Sequence, residues 1–65
     1  MLRANGKKRE TGLMARALIR QYGGEAEVVA AGHADTMLDM GDVAAFETWK
    51  AVMAEIRGLQ AVKAN

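Results

Sequence analysis

His33 and Met37 stand one helical turn apart, and both side chains can ligate a metal. Two ligands on the same face of one helix cannot reach opposite faces of a haem, and no c-type attachment motif accompanies them. Asp35, Asp39 and Asp42 offer carboxylate oxygens of the kind that hold Ca²⁺ or Mg²⁺, but their spacing is not that of a calcium loop. A solvated acidic face, with Asp42 capping a helix, accounts for all three. The chain contains neither serine nor cysteine, which removes the usual nucleophiles. Thr11, Thr36 and Thr48 have no histidine or lysine base beside them in sequence. Gly23-Gly24 is a turn and follows no strand, so it is no phosphate-binding fingerprint, and Glu25 and Glu27 beside it repel anions. The sequence therefore predicts no enzyme, no metal, no cofactor and no small-molecule substrate.

The remaining chemistry is charge. Residues 1–22 carry Arg3, Lys7, Lys8, Arg9, Arg16 and Arg20 against Glu10 alone, whereas residues 23–65 carry Lys50, Arg57 and Lys63 against seven acids. Such asymmetry accompanies interaction arms, and it also arises when a basic helix packs beside acidic ones. Lys7, Lys8, Arg9, Arg16 and Arg20 are the candidate contacts to nucleic acid, as a salt-dependent phosphate-binding arm. Against that, no recognition helix is evident. Tyr22, Phe46 and Trp49 lie on apolar faces and offer no platform for single strands.

These residues need helices to position them. Thirteen alanines, no proline and no period-two alternation point to an all-α chain. Met1 to about residue 10 reads as a basic tail, because Asn5-Gly6 interrupts and cations oppose the macrodipole of a first turn. Residues 11–65 read as a single domain of three helices. The first starts at Thr11 as N-cap and runs to Tyr22, with Met14, Leu18 and Tyr22 in one stripe. The second follows Gly23-Gly24 and ends near Met40. Its inward stripe takes Val29 or Ala30, His33 or Ala34, then Met37 and Leu38, with Gly32 as a weak middle or a point of close approach.

Gly41-Asp42 then supplies a helix stop and a helix start back to back. From Asp42, Ala45, Phe46, Trp49, Val52, Met53, Ile56, Leu59 and Val62 recur at three and four, making the third helix the longest. Helices 2 and 3 are expected to form an antiparallel hairpin, with helix 1 packed across it. Met14, Met37 and Met53 suit the core, and Met40 the surface.

The chain resembles a family of short helical proteins of alphaproteobacteria, of unknown function. The resemblance covers residues 14–60 and rests on Ala17, Tyr22-Gly23-Gly24-Glu25-Ala26, Gly41-Asp42, Trp49, Ile56 and Leu59. It implies a bacterial, cytoplasmic origin and brings no activity or site residues.

A core of this size, with no disulfide or metal, supplies only a few kcal/mol. The expectation is a non-enzymatic protein-interaction module or accessory subunit. It buries its apolar face as a homo-oligomer, with a dimer favoured, or on a larger protein partner. Trp49, Met53, Ile56 and Leu59 are the expected core or interface residues. No apolar run is long enough to span a membrane and no secretory leader is evident, so the cytoplasm is the expected location.

Overall fold

The computed structural model describes the backbone of residues 2–64 and the side chains of residues 9–61. The described chain is all-α. Helix α1 spans Leu2–Tyr22, a 3₁₀ turn spans Gly23–Glu25, α2 spans Ala26–Asp39 and α3 spans Val43–Ala64. No loop residue separates α1, the 3₁₀ turn and α2, and the chain changes direction at that turn. Counted as uninterrupted helical stretches there are thus two, where the sequence suggested three separated helices.

The basic tail is also corrected. Residues 2–10 belong to α1, and Asn5-Gly6 lies inside it. A glycine within a helix costs about 1 kcal/mol and does not by itself stop one, and the flanking Lys, Arg and Glu are good helix formers. The extension makes α1 21 residues long, and α3, at 22 residues against 14 for α2, is still the longest of the three, by one residue over α1. Thr11 is no N-cap. It sits mid-helix, buried, on the same line as Ala15 and Leu18.

The Gly41-Asp42 junction forms as its residue types require. Gly41 takes φ +80°, the left-handed conformation that costs L-residues energy. Its amide donates to the Leu38 carbonyl at 3.0 Å, and the Asp42 amide donates to the Met37 carbonyl at 2.9 Å. This pair of bonds is a Schellman motif, and it satisfies two of the last carbonyls of α2. Asp42 simultaneously caps α3, its Oδ1 accepting the Ala45 amide at 3.1 Å. One residue therefore closes α2 and opens α3, which is why the hairpin needs so short a corner.

The tightest packing is between α2 and α3, with α1 laid mainly on α3. Ala26, Ala30 and Ala34 form the buried line of α2, four residues apart, so the alanine alternatives at 30 and 34 take the inward positions. His33 is exposed, and Leu38 is 52% exposed. Small side chains along this line bring the α3 backbone close, and Val52 and Ile56, both fully buried, fill the seam. Ala15 of α1 completes the centre, with Met14, Leu18, Ile19, Trp49, Met53 and Leu59 packed around it half-buried. The result is a slab of 36 × 31 × 17 Å, its shortest axis under two helix diameters. A slab has broad faces and little interior.

Candidate interaction surface

Several of the groups that the sequence offers for chemistry have structural tasks or lie in solvent. The Thr36 hydroxyl donates to the Gly32 carbonyl at 3.0 Å and the Thr48 hydroxyl to the Ala44 carbonyl at 3.1 Å, one turn back in each case. His33 stacks on Trp49, with ring centroids 4.4 Å apart and planes inclined by 22°. That contact ties the exposed face of α2 to α3. Sequence spacing pairs His33 with Met37, and only the hairpin register brings it to Trp49. Asp35 and Asp39 are exposed, and Asp42 is the α3 cap. Among the described residues no group of His, Asp and Glu is arranged to hold a metal ion.

Two contacts cross from α3 to the segment around the bend. Arg57 donates from Nε at 3.0 Å and from Nη2 at 2.5 Å to the same oxygen of Glu27. Gln60 donates its side-chain amide to the Gly23 carbonyl at 2.9 Å. That carbonyl also accepts the Ala26 amide within the 3₁₀ turn, so both of its lone pairs are used. Gly23 itself takes φ +60°. On the outer side, the Lys50 ammonium lies 5.3 Å from the centre of the Phe46 ring.

Beside Gln60, α1 and α3 part to leave an open groove of about 420 Å³, lined by Arg16, Ile19, Arg20, Leu59 and Gln60. Ile19 and Leu59 are half-buried, and both arginines are exposed. Neither arginine forms an ion pair among the described residues. The groove therefore has an apolar component and a cationic rim. Its composition could not be read from sequence, because it depends on Leu59 of α3 lying beside Ile19 of α1, forty positions away.

At the other end of the hairpin lies a contrasting patch. Leu38, Met40 and Val43 are 52%, 70% and 60% exposed. Asp35, Asp39, Asp42 and Glu47, near them in sequence, are also exposed, and residues 33–49 contain no Lys or Arg. Met40 is thus on the surface, where the sequence placed it.

Of the four residues expected to form a core or an interface, Ile56 is fully buried within the single chain and has no surface to offer a partner. Trp49, Met53 and Leu59 are half-buried and pack against the core. Of the five expected nucleic-acid contacts, the side chains of Lys7 and Lys8 lie outside the described residues, and Arg9, Arg16 and Arg20 are exposed. The continuous α1 places these three arginines at i, i+7 and i+11, one face of the helix. No helix among the described residues is long and apolar enough to cross a membrane. No protein-family model, curated protein or solved structure matches the chain.

Proposed function

We propose that this chain is a small protein-interaction module that works by association, with itself or with a larger partner, and not by catalysis. The observation that carries the reading is the imbalance between core and surface. The central cluster is Ala15, Ala26, Ala30, Val52 and Ile56, three of them alanines, while Leu13, Tyr22, Val28, Leu38, Met40 and Val43 stand exposed. Burying apolar area contributes roughly 25 cal/mol per Å². An alanine-rich centre yields little of this, and the larger apolar side chains still have it to gain on contact with another chain. The slab shape adds broad faces on which such contact can form.

Sedimentation velocity across a concentration series tests this reading. The expected result is a mass above that of one chain, rising with concentration, or co-sedimentation with a defined partner. A strictly monomeric, heat-stable species that retains no partner from its native extract overturns it.

A second reading, a regulator bound to nucleic acid, is favoured by the alignment of Arg9, Arg16 and Arg20 along α1. It requires a gel shift at low salt that weakens steeply as salt rises. Absence of any shift with duplex DNA, single-stranded DNA and RNA ends it.

A further inference from the structure

We infer that the groove between α1 and α3 receives the acidic hairpin corner of a second copy of this chain. The inference rests on the association reading above and specifies its surfaces. The groove presents Ile19 and Leu59 below two exposed arginines, Arg16 and Arg20, that have no acidic partner among the described residues. The corner presents the reverse arrangement: three exposed apolar side chains, Leu38, Met40 and Val43, interspersed in sequence with the exposed acids Asp35, Asp39 and Asp42, with no Lys or Arg from residue 33 to residue 49.

Both patches thus offer apolar area and unpaired charge, and the charges are opposite. Docking one into the other covers Met40 and Leu38 with Ile19 and Leu59 and places Asp35 and Asp39 near Arg16 and Arg20. Complementary potential of this kind favours encounter and fixes register. The same chain cannot make the contact with itself. The corner and Gln60 lie at opposite ends of α3, roughly 25 Å apart at 1.5 Å per residue. Two copies running antiparallel make the contact twice and close as a dimer, leaving neither patch exposed.

Among the described residues, Arg57 is a further cation near this end, and it is already engaged by Glu27 and does not compete. Across the groove, Gln60 is held by the Gly23 carbonyl, so its side chain forms a fixed wall and not a mobile one.

The test is charge reversal with compensation, read by sedimentation equilibrium at low and high salt, with circular dichroism to verify folding. Asp35→Lys with Asp39→Lys on one patch, and Arg16→Glu with Arg20→Glu on the other, are exposed changes that leave the core untouched. Each reversal alone is expected to weaken dimerisation by about 100-fold or more, since like charges then face one another. All four together in one chain are expected to restore it, because both sides of each contact are exchanged.

Retention of the dimer in either single-patch reversal, or failure of the fourfold variant to recover it, overturns the groove–corner contact. If the dimer persists in every variant, association stands and only its assigned surfaces fall. A wild-type chain that is monomeric overturns this inference together with self-association. A monomer whose duplex-DNA gel shift disappears in the Arg16→Glu, Arg20→Glu variant overturns it in favour of phosphate binding.

Discussion

Gln60 on α3 donates its side-chain amide to the carbonyl of Gly23, 2.9 Å away and 37 positions earlier in the chain. The bond fastens α3 to the bend between α1 and α2. It links α3 to both of the other α-helices at one point, because Gly23 begins the turn between the first two. Removing it leaves the Gly23 carbonyl still bonded to the Ala26 amide, so no fully orphaned acceptor results. Gln60→Ala is therefore expected to lower stability by about 0.5–1.5 kcal/mol, the range of an ordinary hydrogen bond. Urea unfolding followed by circular dichroism measures this. An unchanged midpoint means the bond does not position the bend.

The glycines divide into two classes with opposite predicted signs. Gly41 has φ +80°, and a side chain there is strained although nothing lies within 4 Å of the added Cβ. Gly41→Ala is expected to destabilise by about 1–2 kcal/mol, the cost of the left-handed conformation for an L-residue. Gly32 and Gly58 lie inside helices with ordinary φ and the same open space around a Cβ. The described chain thus contains no close helix approach at either position. Gly32→Ala is expected to stabilise by roughly 0.5–1 kcal/mol through helix propensity alone. Paired thermal melts of Gly41→Ala and Gly32→Ala decide it, and a shift of the same sign in both contradicts the assignment.

How far the sequence carried can be judged from these same residues. Gly41 and Asp42 announced themselves because helix stops and starts have fixed stereochemistry, written in residue type at adjacent positions. The period of Val52, Ile56 and Leu59 announced the inward face of α3 for the same local reason. The start of α1 is not legible locally because a cationic first turn and an Asn-Gly pair are weak costs, about 1 kcal/mol each, which a continuous helix absorbs. The inward line of α2 was legible only as alternatives, since Val29 and Ala30 are neighbours and the close approach of α3 selects the smaller. The groove beside Gln60 and the stack of His33 on Trp49 were not legible at all. Both are products of register between helices, and register is set by packing.

The Arg57–Glu27 pair looks prominent, with two nitrogens on one carboxylate oxygen, but Arg57 is 71% exposed and Glu27 32%. Water screens such a pair and holding it costs side-chain entropy, so its coupling is expected to be about 0.2–1 kcal/mol. A double-mutant cycle of Arg57→Ala and Glu27→Ala reads the coupling directly. It should shrink further at high salt, where the screening length falls to a few ångströms. Coupling well above 1 kcal/mol that is insensitive to salt would show a desolvated pair and contradict the exposed geometry.

The final contrast separates core from surface within α3. Ile56 is fully buried against Val52 and the alanine line of α2, and its truncation leaves a cavity in a seam with few large side chains. Ile56→Ala is expected to cost about 2–5 kcal/mol, a large share of what a domain of this size possesses. Trp49 is half-buried and stacks on an exposed histidine, so Trp49→Ala should cost less than the 3–5 kcal/mol typical of an enclosed tryptophan. His33→Ala removes the stack alone and should cost about 0.5–1.5 kcal/mol. Chemical denaturation of the three variants gives the order, with Trp49 fluorescence as the probe in those that keep it. The expected sequence places Ile56→Ala as the most destabilised and His33→Ala as the least. If Trp49→Ala proves the worst of the three, the tryptophan is enclosed in the protein as it exists in solution, and a face left open in the single chain must be covered there by another.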